Sequence, residues 1–190
     1  VWLFMDIHHI IFDGMSTALF LGEILAAYDG KEPQQETITA FDFAEYDQQL
    51  AGSQQFKAAE QHFDSILRDS SVVVYPDSAK PDGVKAAIVE TLIPQQQILA
   101  YCNANDITVG SYFQAVFAET VSRLTREANP LYVTINNGRS ASVELLNSVG
   151  MYVKTLPVGL TSALAAHQDV AGFVKAMHQQ LQDSYANDIY

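Results

Sequence analysis

The sequence predicts a layered α/β fold of the α+β kind, and three observations carry that prediction. Short runs rich in Val, Ile, Phe and Tyr (residues 1–12, 131–136 and 149–158) alternate with segments whose apolar residues recur at helical spacing. Turn-forming stretches such as Asp13-Gly14, Asp29-Gly30 and residues 76–83 separate them, without internal repeats or low-complexity tracts. Hydrophobic residues make up 48% and charged residues 17%, a balance that supports a core and excludes a disordered chain.

Taken in order, residues 1–12 read as a strand apolar on both faces, stopped by Asp13-Gly14. Residues 15–28 follow as a helix facing inward through Leu21, Ile24, Leu25 and Tyr28, ended by Asp29-Gly30 and Pro33. Residues 31–40 form a polar loop. Residues 41–69 make one or two helices broken near Gly52-Ser53, and 72–75 a short strand. Two prolines and a glycine mark 76–83 as a linker. A strand is expected over 85–93 and a helix over 94–104, with Pro94 in its first turn. Thr108 caps the next helix, whose stripe of Phe113, Val116, Phe117, Val121 and Leu124 is expected in the core. Strands at 131–136 and 149–158 flank a Gly138-Arg139 loop, the second one stopped by Pro157. A helix over 167–185 closes the chain, with Val170, Phe173, Val174, Met177 and Leu181 as its stripe.

Net charge of −12 argues against nucleic acid and anionic membranes as partners. The lone cysteine, Cys102, excludes an internal disulfide framework and points to a reducing, cytoplasmic compartment; it reads as a packed helix residue. The apolar run at the start is too short and too interrupted to cross a bilayer, and it has no basic leader. It opens inside a strand, so the chain reads as a piece of a longer protein, incomplete at both ends.

The chemistry concentrates at residues 8–14, HHIIFDG. On a strand His8 and His9 point to opposite faces, which argues against a shared metal, and no third ligand lies at metal-binding spacing. His62, His167 and His178 sit in polar helical surroundings and read as surface residues. Asp13 is placed to cap the following helix, and Gly14 permits close approach to the backbone.

The pattern His-His-x-x-x-Asp-Gly, between an apolar strand and an amphipathic helix, resembles the signature of nonribosomal peptide synthetase condensation domains. These belong to the chloramphenicol acetyltransferase superfamily. FDFAEYDQQL (41–50) resembles their Tyr-x-Asp-Phe-Ala-x-Trp segment. SVGMYVKTLPV (148–158) resembles their Val-Gly-x-Phe-Val-Asn-Thr segment and follows a Gly-Arg pair, as in the family. Lys154 stands where the family usually has Asn, Tyr46 where it has Trp, and Gly159-Leu160 replaces a stretch ending in arginine.

The resemblance implies a two-lobed, chloramphenicol acetyltransferase-like fold with a tunnel between the lobes. Residues 1–75 would end the N-terminal lobe, 76–83 link, and 84–190 form part of the C-terminal lobe. It implies amide formation between a donor acyl thioester and the amine of an acceptor aminoacyl thioester. Both ride on carrier domains through 4'-phosphopantetheine arms, beside an adenylation domain in the parent protein. The domain itself holds no cofactor or metal. His9 carries over as the base or positioning group, and Asp13 as a structural carboxylate pairing with an arginine, for which Arg139 is the candidate here. His8 is assigned to packing or a backbone hydrogen bond, and Gly14 to keeping the tunnel open.

An epimerase-type domain would follow the motif with Ser-Trp and carry Glu-Gly-His-Gly-Arg, where this chain has GMST and INNGRS. Heterocyclisation domains replace the histidines with aspartate. A silent carrier-docking domain and a free-standing acyltransferase remain the alternatives from other classes. The 190 residues alone are expected to lack activity and to self-associate or order poorly through residues 1–28, with 84–185 the more coherent part.

Overall fold

A computed structural model describes residues 2–73, 90, 92–160 and 169–189. Its helices are α1 (Gly14–Tyr28), α2 (Ala40–Leu50), α3 (Gln54–Asp69), α4 (Gln95–Asn105), α5 (Val109–Thr125) and α6 (Val170–Ala186). The strands β1 (Ser71–Val72), β2 (Pro130–Asn136) and β3 (Lys154–Gly159) form one sheet in that order. β1 and β2 run parallel, with Ser71 opposite Pro130 and Val72 opposite Leu131. The chain divides into two compact units. One comprises Val1–Glu60, Thr134–Leu156 and Asn187–Tyr190; the other comprises Gln61–Val133 and Pro157–Ala186. The linker expected at 76–83, most of the strand expected at 85–93, and His167 lie outside the described residues.

In the second unit the core gathers Cys102 and Ile107 with Ala115 and Ala118 of α5, Val158 and Leu160, and Val174, Met177 and Leu181 of α6. Thr108 caps α5 as expected, its hydroxyl accepting the Ser111 N–H at 3.0 Å. The expected α5 stripe is corrected. Val121 is buried, but Phe113, Val116, Phe117 and Leu124 lie exposed, and Ser111, Ala115 and Ala118 face inward. Both faces of this helix are apolar, so a 3.6-residue period does not choose between them. The face turned to α6 carries the small residues. In α6 the stripe turns inward through Val174, Met177 and Leu181, while Val170 is exposed.

In the first unit, Gly52 breaks 41–69 into α2 and α3, adopting φ +82° between them. Thr39 and Asp42 cap α2 reciprocally: the Asp42 N–H donates to Thr39 Oγ1 (3.3 Å), and the Thr39 N–H to Asp42 Oδ2 (2.8 Å).

Three expectations for this unit are overturned. Over the described residues 2–12 there is no strand: 2–8 lie outside any sheet, His9–Ile11 form a 3₁₀ turn, and Trp2 and Phe4 are exposed. Composition signals a strand, but a strand needs a neighbour for its backbone groups, and none pairs with it among the described residues. The expected inner face of α1 is also wrong. Leu21, Leu25 and Tyr28 are exposed, Ile24 is half-buried, and the residue α1 buries is Ser16. Finally, residues 149–153 lie outside β3, which begins at Lys154 and runs through Pro157 to Gly159. β3 is last in the sheet order among the described residues, an edge position where proline is tolerated.

Candidate active site

The motif turns sharply instead of running on as a strand. His8 caps the 3₁₀ turn, its Nδ1 accepting the Ile10 N–H at 3.1 Å. Neutral His8 therefore carries its proton on Nε2. His8 is exposed, so its place is in a backbone hydrogen bond and not in packing. The His9 carbonyl accepts the Phe12 N–H at 3.4 Å. The His9 ring is exposed and has no hydrogen-bond partner among the described residues. The two adjacent histidines thus have different surroundings, though not through strand alternation.

Four residues on, the chain is anchored. The Asp13–Arg139 pair is fully buried, with side-chain exposures of 1% and 0%. Asp13 caps α1: Oδ1 accepts the Ser16 N–H and the Ser16 hydroxyl, each at 2.8 Å. Arg139 Nη2 donates to both carboxylate oxygens at 3.1 Å, and the Tyr152 N–H donates to Oδ2 at 3.3 Å. Burial would push the Asp13 carboxyl up, but these Ser16, Tyr152 and Arg139 contacts outweigh it and hold the group below its ordinary value. The Asp13 N–H donates to the Gly150 carbonyl, and the Gly150 N–H to Ser16 Oγ at 2.9 Å. The Gly150 N–H and carbonyl and the Tyr152 N–H, just before β3, are thus taken by Asp13 and Ser16.

Arg139 is held from the other side as well. Its Nη1 donates to the Leu145 and Ser148 carbonyls, and its guanidinium carbon sits 4.2 Å from the Tyr152 ring centroid. Two glycines make this closeness feasible. A Cβ on Gly138 (φ +65°) would come within 1.7 Å of the Tyr152 carbonyl oxygen, and one on Gly150 within 2.7 Å of the Tyr152 ring. A Cβ on Gly14, by contrast, would meet nothing within 4 Å.

Tyr152 links this cluster to α2. Its ring lies 5.2 Å from that of Phe43, edge to face, and its hydroxyl bonds Ser148 Oγ at 2.6 Å. Lys154 Nζ pairs with Asp47 at 3.1 Å. The three motif segments and the Gly-Arg pair, far apart in sequence, therefore share one cluster within one unit.

Sequence reasoning missed Ser16, Ser148 and Tyr152. Ser16 had a signal, since it stands three residues after the capping aspartate, where an N–H seeks an acceptor. Tyr152 lies in the 148–158 segment that carries the resemblance, but its own contacts had no local signal, because they depend on pairing across more than a hundred residues. The surface reading of His62 and His178 is corrected. Both are half-buried: His62 Nε2 bonds Ser184 Oγ at 3.0 Å, and His178 Nδ1 bonds Ser111 Oγ at 2.8 Å. Polar neighbours in sequence lie on other faces of their helices. Cys102 is buried. Among the described residues no three His, Cys, Asp or Glu side chains cluster as metal ligands. No helix among them is long and apolar enough to cross a membrane.

A family model described as the condensation domain matches residues 1–190. The chain belongs to the condensation domain family. Bacitracin synthase 1 of Bacillus licheniformis is 29% identical over 165 residues, which cover 82% of this chain and 3% of that protein. Surfactin synthase subunit 1 of Bacillus subtilis (strain 168) is 25% identical over 202 residues, covering all of this chain and 6% of that protein. Among solved structures, the condensation domain from the monacolin K polyketide synthase MokA superposes with a TM-score of 0.78 at 16% identity. That match covers 96% of this chain and 44% of the other. The chain thus spans a small part of the curated synthetases it matches and less than half of that solved chain. Its α/β fold is the chloramphenicol acetyltransferase-like fold of condensation domains.

Proposed function

We propose that this chain supplies the histidine-bearing site for amide formation in nonribosomal peptide synthesis. The donor acyl group and the acceptor aminoacyl group arrive as thioesters on 4'-phosphopantetheine arms of carrier domains. The observation that carries the reading is the contrast within HHIIFDG. Asp13 is buried and fully engaged, whereas the His9 ring, four residues away, is exposed and has no hydrogen-bond partner among the described residues.

The acceptor amine attacks the donor thioester carbonyl, forming a C–N bond. The tetrahedral adduct carries a cationic, strongly acidic nitrogen. Its collapse breaks the C–S bond, and the released thiolate takes up a proton to become the free pantetheine thiol. Imidazole titrates near neutral pH, so a histidine accepts the adduct's proton readily and can return it to the sulfur. General-base help of this kind contributes about 10²–10⁴-fold. Confining both tethered substrates contributes as much or more, because effective molarities reach about 10⁵ M. His9 in this reading takes the amine proton or orients the amine. Asp13 is structural: its oxygens are filled by Ser16, Tyr152 and Arg139, and a carboxylate so bonded is a poor proton acceptor. Gly14 leaves open space beside the motif.

The test uses the full polypeptide that carries this chain, with donor and acceptor carriers loaded with thioesters. Mass spectrometry of the carriers should show the acyl group moved onto the acceptor amine and the donor arm left as a free thiol. A folded polypeptide that binds both carriers and forms no amide would overturn the reading in favour of a carrier-docking domain.

A further inference from the structure

Asp188 is a second buried carboxylate in the first unit, 6% exposed, and the mechanism above leaves it unused. Its Oδ2 accepts two hydrogen bonds, from Asn136 Nδ2 at 2.7 Å and from Ser140 Oγ at 2.9 Å. These donors stand on the two legs of one turn. Asn136 ends β2, and Ser140 follows Arg139. Among the described residues neither donor has another acceptor. Inside the turn, the Arg139 N–H donates to Asn137 Oδ1 at 3.1 Å, and Gly138 presses on the Tyr152 carbonyl. One carboxylate oxygen thus draws together the legs of the turn that delivers the Arg139 guanidinium to Asp13.

We propose that Asp188 is a positioning residue for amide formation. It clamps the Gly138–Arg139 turn, the turn fixes Arg139, Arg139 holds Asp13, and Asp13 anchors the segment that carries His9. The inference rests on the functional reading above. A buried carboxylate is costly unless donors meet it, so its place here is set by the two donors it closes over. Both bonds end on one oxygen, so an asparagine carbonyl can replace it. Alanine cannot.

Asp188→Ala and Asp188→Asn are compared in the full polypeptide by single-turnover amide formation, at a temperature where circular dichroism shows each variant folded. Asp188→Ala is expected to slow turnover on the order of 10²-fold, the cost of a misplacement of about 1 Å at a reacting centre. KM for the carriers should stay unchanged, and Asp188→Asn should keep nearly the wild-type rate. Amide hydrogen exchange gives a second readout. Asp188→Ala should expose the Ser16, Gly150 and Tyr152 N–H groups to exchange while those of α5 and α6 stay protected. If Asp188→Ala does not fold, Ser140→Ala replaces it and should speed exchange at the same three amides. Full-rate turnover by Asp188→Ala, equal losses in Ala and Asn variants, a change confined to KM, or unchanged exchange would each overturn the clamp. His9→Ala separates the two ideas. A dead His9→Ala beside a fully active Asp188→Ala sinks the clamp alone, whereas an active His9→Ala sinks the functional reading and leaves exchange to judge the clamp.

Discussion

Replacing Asp13 with alanine leaves Arg139 buried without its counter-charge and α1 without its cap. The lost cap bond to the Ser16 N–H costs about 0.5–2 kcal/mol. Removing one partner of a buried ion pair costs about 3–5 kcal/mol. The two terms share one carboxylate and overlap. Arg139 also keeps the Leu145 and Ser148 carbonyls and the Tyr152 ring, so the lower end applies, about 3 kcal/mol. For a chain of 190 residues each kcal/mol lowers Tm by about 2–4 °C, giving a fall of about 6–12 °C. Urea and thermal unfolding followed by circular dichroism measure it. Adding Arg139→Met removes the stranded charge and should recover part of the loss. The pH dependence has a defined sign. Asp13 lies below its ordinary value of 3.8 in the folded chain, so its contribution is complete above that pH and is lost as pH falls through the lower folded value. Asp13→Ala should lack that acid limb. An Asp13→Ala chain within about 0.5 kcal/mol of wild type, as for a surface substitution, would refute the reasoning.

Burial pushes the His62 imidazole below its ordinary 6.5, with Asp183 opposing in part. Its stabilisation should therefore be complete above pH 6.5 and fade as pH falls through the folded value, and urea midpoints should lose that slope in His62→Gln. Gly138→Ala should destabilise the chain by at least about 1 kcal/mol from its positive φ alone, before its clash with Tyr152. Gly14→Ala, in open space, should leave thermal stability unchanged or raise it by about 0.5–1 kcal/mol. His8→Ala removes the exposed 3₁₀ cap bond and should cost about 0.5 kcal/mol by urea unfolding, the low end for one hydrogen bond, with far less effect on turnover than His9→Ala.

Helices with strong signals at their ends were legible. Thr108 and the Gly52 break mark α5 and the α2–α3 boundary because capping and left-handed backbone are local effects. The faces of α1 and α5 were not legible. Both helices are apolar most of the way round, and what they bury depends on a neighbour distant in sequence. The strand reading of residues 1–12 failed for the same reason, since β pairing is not encoded in one strand. At the site, the motif picked out His9, Asp13 and Gly14, and Arg139 entered only as a candidate partner. Local sequence had no way to reveal that the Tyr152 N–H and the Ser16 hydroxyl would complete the carboxylate's shell, because those contacts exist only once residues 13–16 and 139–152 meet.

In the proposed function, His9 serves the chemistry and not the fold. Its ring is exposed and unbonded among the described residues, so His9→Ala should leave stability within about 0.5 kcal/mol of wild type. Single-turnover amide formation between loaded carriers, in the full polypeptide, measures the rest. A folded variant slowed by about 10²–10⁴-fold is expected, the range for loss of a general base. A folded His9→Ala polypeptide that forms amide at the wild-type rate would contradict it.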